Sequence, residues 1–220
     1  MAMELTTKQI EEVNGYLTIK KIDHIDIRLE VLDHIITDVE NLMSSKEIDF
    51  EFAFKEVSLK WTKHFTQTSS FYFGVAYSAP KIILNKAKRA FKKSYFILIA
   101  SYFLPFVLFL NFQMKVSGEA RNLINGAISM ITIILIILFI YTYYKKSKIK
   151  LKTTYSFILK TQFWSFLFLI FPLFGKELID ENNEFNSVYL GLIFAFICSL
   201  GITRYFYHKH VSVISKYTSV

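Results

Sequence analysis

The chain has 220 residues, is 53% hydrophobic and 17% aromatic, and carries a formal net charge of +8 with a pI near 9.3. Soluble domains average about 45–50% apolar, so a uniformly soluble globule is excluded, and the single cysteine, Cys198, excludes an intrachain disulfide. The basic balance does not indicate nucleic acid: residues 1–70 hold 13 acids against 8 bases, and the excess bases lie beside apolar spans, where membrane topology explains them.

Residues 1–70 read as a helical domain of three helices, with no apolar leader in the first 90 residues. The first is expected from Thr7 to Thr18, with Ile10, Val13 and Leu17 on one face. The second covers "KIDHIDIRLEVLDHIITDVENLM", Lys21 to Met43. Its Ile22, Ile25, Leu29, Leu32, Ile36, Val39 and Met43 recur at alternating spacings of three and four, which predicts a buried seam. The third is expected to start at Asp49, a good N-cap, with Phe50, Ala53, Phe54, Val57, Trp61 and Phe65 inward.

The second helix carries the densest chemistry in the chain. Asp23, Asp26, Glu30, Asp33 and Glu40 follow the seam's rhythm one residue out of step, with His34 and Asp38 beside them. Helical Glu and His residues three or four apart can ligate a metal, but such bundles draw ligands from facing helices. The neighbouring helices offer only Glu11, Glu12, Glu51, Glu56 and His64, with no repeated ExxH, so no metal and no cofactor is expected. Two readings stay open: a solvated acidic face, and a docking face for a protein partner through Asp23, Asp26, Glu30, Asp33, His34 and Asp38. No GxSxG, phosphate loop or HExxH occurs, and no catalytic residue is named.

Residues 71–93 are expected to be a basic linker or interfacial helix. "KIILNKAKRAFKK", 81–93, places Lys81, Lys86, Lys88, Arg89, Lys92 and Lys93 between apolar residues at helical spacing. That pattern suits either a helix lying on an anionic leaflet or the basic start of a span.

Four stretches then approach the roughly 20 residues needed to cross a bilayer: 94–112, 123–144, 156–174 and 187–207. The loop "KKSKIKLK", 145–152, has five bases and no acid, whereas "GKELIDENNEFN", 175–186, has four acids and one Lys. The positive-inside rule then puts both termini, including a tail at 208–220, in the cytoplasm. The spans lack Asp and Glu, which argues against an ion-coupled transporter. Small-residue faces would favour binding through the membrane segments, but only weak ones occur, such as Gly191, Ala195 and Ser199 in the fourth span.

The whole reads as an all-α protein: a small cytoplasmic three-helix domain followed by a four-helix transmembrane bundle in a bacterial inner membrane. The run "IDIRLEVLDHIITDVENLM" with "DFEFAFKEVSLKW" resembles HAAS-type signalling domains and the similar permease-prefix domains. Glu30, Asp33 and His34 match the E-x-x-D-H-like helix, and Ala53 and Val57 the helix after it. The resemblance covers about residues 22–65 and implies a regulatory or interaction module, whose partner is a regulator or a membrane complex subunit. The expected partners are therefore the lipid bilayer and a protein, with a second copy of this chain as an alternative and no nucleic acid. The alternative functions are an accessory subunit of a transport or export complex, and a membrane enzyme or metal protein using the Asp-His pairs.

Overall fold

The computed structural model describes residues 4–109, 116–169 and 177–218. They form seven α-helices, with one short pair of strands, so the protein is mostly helical. The chain divides into two compact units. The first comprises Met1–Ala90, Leu151–Phe157 and His210–Val220, and the second Phe91–Lys150 and Ile158–Lys209.

In the first unit, α1 (Thr7–Ile19) opens with a capping box: Thr6 Oγ1 accepts from Gln9 N, and Gln9 Oε1 accepts from Thr6 N. It buries Val13 and Leu17. A turn with Lys21 at φ 60° leads to α2 (Ile25–Lys46), which ends at Glu47 in the left-handed conformation. α3 (Phe50–Phe65) starts at Asp49, whose carboxylate accepts from Phe52 N at 3.0 Å. It buries Phe50, Ala53, Val57 and Phe65. α2 packs against both α1 and α3, and each apolar side chain fully removed from water there contributes about 1.5–3 kcal/mol.

The seam of α2 is the expected one only at Val39 and Met43. Ile27, Val31, Ile35, Val39 and Met43 are buried, whereas Leu29 is 42% exposed. Ile22 is buried too, but it belongs to the turn before the helix. Along the helix itself the buried apolar positions recur every fourth residue from Ile27, and Asp26 lies on the same buried side.

Two strands follow where helix or linker is expected. β1 (Gln67–Ser70) pairs antiparallel with β2 (Gly74–Pro80) in the register Thr68↔Ala79, around a 3-10 turn at Phe71–Phe73. Gly74 has φ +83°, a conformation that suits glycine. A lone hairpin is marginal, and this one is anchored by buried Phe73, whose ring meets Phe157 edge-on at 5.3 Å. α4 (Lys81–Phe109) is continuous from the basic segment through the apolar one. Its first turns bury Ile83, Leu84 and Ala87. These three side chains are packed against protein, while Ile82 and Ala90 of the same segment are half-buried.

In the second unit, α5 (Gly118–Ser147) is capped by Ser117, whose Oγ accepts from Ala120 N. α6 (Thr154–Gln162), which starts in the first unit, is followed here by a 3-10 helix, Phe163–Leu169. α7 (Ser187–Thr218) runs well past residue 207, through the region expected to be a tail, and its last turns from His210 belong to the first unit. Phe139 of α5 packs with Phe196 and Leu200 of α7, and Leu178, Ile179, Tyr189 and Ile193 form a second cluster with Ile124 and Ile128 of α5.

Among the described residues, α4, α5 and α7 are long and apolar enough to cross a membrane. Of the expected third span, 156–174, the described part is the end of α6 and the 3-10 helix, and residues 170–174 lie outside the described residues. Residues 110–112 of the expected first span lie outside them too.

Candidate functional site

The acidic face of α2 divides into an inner and an outer part. Asp26 is only 6% exposed. Its Oδ1 accepts from Thr154 N, at the start of α6, at 2.8 Å. A carboxylate at a helix N-terminus meets unpaired N–H groups and the positive end of the helix dipole. Oδ2 lies 3.7 Å from Lys86 Nζ, an ion-pair distance too long for a hydrogen bond. The Lys86 ammonium instead donates to Asp26 O at 2.7 Å and to Glu30 Oε2 at 3.1 Å. Asp23 pairs with Lys152 at 3.0 Å.

Around Asp26 the polar groups are dense and buried. Thr153 and Ser156 cap α6 reciprocally: Ser156 N donates to Thr153 Oγ1 at 3.1 Å and Thr153 N donates to Ser156 Oγ at 3.0 Å. Thr153 Oγ1 also lies 2.8 Å from His210 Nδ1, within hydrogen-bond distance. His24 stands at the N-cap position of α2, its ring 6.4 Å from Phe157, while Ile25 N donates to Lys152 O at 2.9 Å. Burial pushes the His24 pKa below its ordinary 6.5; Asp26 and Asp23 pull it upward and Lys152 adds to the depression. Among the described residues, His24 Nδ1, Asp26 Oδ2 and Thr154 Oγ1 are buried without a hydrogen bond. With no base in hydrogen-bond reach, the Thr154 hydroxyl is not activated as a nucleophile.

Farther along α2, Asp38 accepts from Trp61 Nε1 at 2.9 Å and from Lys60 Nζ at 3.0 Å. Desolvation raises its pKa, but those two hydrogen bonds and the charges of Lys60 and His34 outweigh it, so the carboxyl titrates below its usual range. Glu40 accepts from Leu5 N at 2.9 Å. The outer face is left to solvent: Leu29, Asp33, His34, Thr37 and Asn41 are exposed, as are the ion-paired Asp23 and Glu30, while neither Asp33 nor His34 is ion-paired among the described residues.

The basic residues divide as well. Lys86 turns to Asp26 and Glu30, and Lys88 Nζ lies 4.9 Å from the centre of the Tyr72 ring. Lys81, Arg89, Lys92 and Lys93 are exposed. Among the described residues, no three His, Cys, Asp or Glu side chains converge as a metal-binding set.

Thr153, Thr154, Ser156 and His210 are the members that the sequence did not disclose. They stand more than 120 residues from Asp26, and the only local trace is Thr153 three residues before Ser156, a weak N-cap signal ahead of an apolar run. No protein-family model, curated protein or solved structure matches this chain.

Proposed function

We propose that the protein is a non-enzymatic integral membrane protein of a bacterial inner membrane, acting as a regulatory or interaction module. The first unit faces the cytoplasm and captures a protein partner through the outer face of α2. One observation carries this reading. After Asp23, Asp26, Glu30, Asp38 and Glu40 are engaged within the chain, Asp33 and His34 remain outward beside the exposed Leu29. An exposed apolar side chain flanked by charged residues that form no ion pair among the described residues is the composition of a small docking patch. The HAAS-like resemblance of residues 22–65 supports the same reading, and α4, α5 and α7 supply the anchor.

The alternative of a complex subunit that binds through its spans draws no support from the weak small-residue face of α7. A Cβ on Gly191 would lie 2.8 Å from Tyr102 O, and Ala195 and Ser199 are buried, so the small-residue face is used within the second unit.

The test is affinity capture of the full chain at native expression level from gently solubilised membranes, comparing Asp33→Ala/His34→Ala with Lys63→Ala. The double variant is expected to lose its partner by about tenfold, as hot-spot truncations of roughly 1.4 kcal/mol do. Lys63→Ala is expected to keep it. Equal recovery from both would overturn the α2 docking face.

A further inference from the structure

We propose that the basic end of the second unit binds an anionic phospholipid, its phosphate held by lysines of α5 and α7 and its acyl chains lying along α5. This rests on the membrane reading of α4, α5 and α7 and adds a specific ligand to it.

Three lysines stand over tyrosine rings at this end. Lys145 Nζ lies 4.7 Å from the Tyr141 centroid, Lys148 Nζ 5.0 Å from Tyr144, and Lys209 Nζ 5.7 Å from Tyr205. Phe139 packs with Phe163 and with Phe196, and Tyr143 donates to Leu159 O at 2.9 Å, so α5, the segment around α6 and α7 are held at one level there. The cations consequently crowd together. Arg204 is near enough to Lys145, and Lys160 to Lys146, for their charges to repel. Phe91 against Phe206, at 5.9 Å, brings exposed Lys92 and Lys93 of α4 to the same end.

No carboxylate of this unit offsets that charge. Its acids are Glu119, Glu177, Asp180, Glu181 and Glu184. Arg121 meets Glu177 at 2.9 Å in the first turns of α5, and at 1.5 Å per residue Lys145 stands about 36 Å farther along the helix. Among the described residues, none of Lys145, Lys146, Lys148, Lys160, Arg204 and Lys209 has an acidic ion-pair partner.

Converging cations without acids call for an external anion. The surface beside them says which kind. Tyr141 and Tyr144 are half-exposed, and toward the middle of α5 follow Ile140 at 61%, Ile137 at 60% and Ile134 at 55% exposure. A free phosphate leaves that apolar strip bare. A phospholipid covers it with hydrocarbon while its headgroup sits at the level of the Tyr and Lys side chains.

The experiment uses the full chain in nanodiscs of phosphatidylcholine alone or of an equal mixture with phosphatidylglycerol. Native mass spectrometry reads the lipids retained after ejection, and the thermal midpoint reads stabilisation. Wild type and the charge-keeping variant Lys145→Arg/Lys148→Arg/Lys209→Arg are expected to retain phosphatidylglycerol preferentially. Lys145→Gln/Lys148→Gln/Arg204→Gln/Lys209→Gln is expected to lose that preference by roughly fivefold per charge removed.

Equal retention of the two lipids by wild type overturns the proposal, as does an undiminished preference in the Gln variant. A rise in midpoint with inorganic phosphate equal to that with lipid overturns the assignment to a phospholipid. If the Gln variant does not fold, wild type decides: its preference must weaken in high salt, and a salt-insensitive preference counts against the proposal. Entry into phosphatidylcholine discs without lipid preference sinks the lipid proposal alone, whereas failure to enter any disc sinks the membrane reading with it.

Discussion

Asp23-His24 and Asp33-His34 are the same dipeptide ten residues apart, and the fold gives them opposite surroundings. Asp33 and His34 look outward from the middle of α2. Asp23 and His24 stand where the helix begins, against Lys152 and Phe157. Sequence shows the pairs but not this difference, because the burial of His24 comes from residues more than 120 positions away. The difference has a measurable sign. Burial disfavours the imidazolium, so below its ordinary pKa of 6.5 the unfolded chain takes up the proton more readily than the folded one. Stability is therefore expected to fall as pH drops through 6.5 toward the lowered folded value, below which His24 adds no further slope. Thermal midpoints of wild type and His24→Gln, compared at about pH 7.5 and about pH 5.5, check this. The variant should lose less on acidification, and an equal loss in both would show that His24 gains its proton freely in the fold.

At the scale of elements, the periodic signals are readable throughout, and the phase is right for α1 and α3 but only in part for α2. α1 and α3 lie close to their expected bounds, and Asp49 caps α3 as its residue type implies. α2 is helical where the pattern requires it and buries Val39 and Met43 as expected, but its N-terminal half buries Ile27, Val31 and Ile35 and leaves Leu29 exposed. The strands are not legible in "QTSSFYFGVAYSAP", which shows no clear alternation, and the burial of Phe73 comes from Phe157, more than 80 positions away. Glycines in α7 give a prediction of opposite signs. Helix propensity favours Ala over Gly by about 1 kcal/mol, and a Cβ at Gly201 meets nothing within 4 Å. Gly201→Ala is expected to be neutral or stabilising by up to about that much. Gly191→Ala forces a Cβ to 2.8 Å from Tyr102 O and is expected to cost about 1–3 kcal/mol, as overpacking does. Melting both variants in one detergent measures the contrast; equal midpoints would mean that α7 and α4 do not approach closely at Tyr102.

For the whole molecule, the separation into a charged part and an apolar part was legible from composition, while the membership of each part was not. The first unit needs Leu151–Phe157 and the turns from His210 in addition to its N-terminal stretch. Cutting at residue 90 removes the N–H that holds Asp26, the Phe157 ring against Phe73, and His210 beside Thr153. Breaking a buried charged contact costs about 3–5 kcal/mol, a large share of the 5–15 kcal/mol by which domains are typically stable. A fragment of residues 1–90 is therefore expected to show helical circular dichroism without a cooperative melt, and to bind a dye for exposed apolar surface. A sharp transition at the midpoint of the full chain would show that the distant segments contribute nothing.

This discontinuity also sets an order of events during synthesis. Ribosomes add about 5–20 residues per second, so some 6–24 s separate the emergence of Ala90 from that of His210. Throughout that interval the N-terminal helices hold Asp26 without the Thr154 amide or wait for the imidazole that closes on Thr153. A nascent chain that ends inside α7 before His210 leaves this junction without its imidazole. The last turns of α7 thus complete the first unit only after translation has passed through the long apolar stretches of α4, α5 and α7.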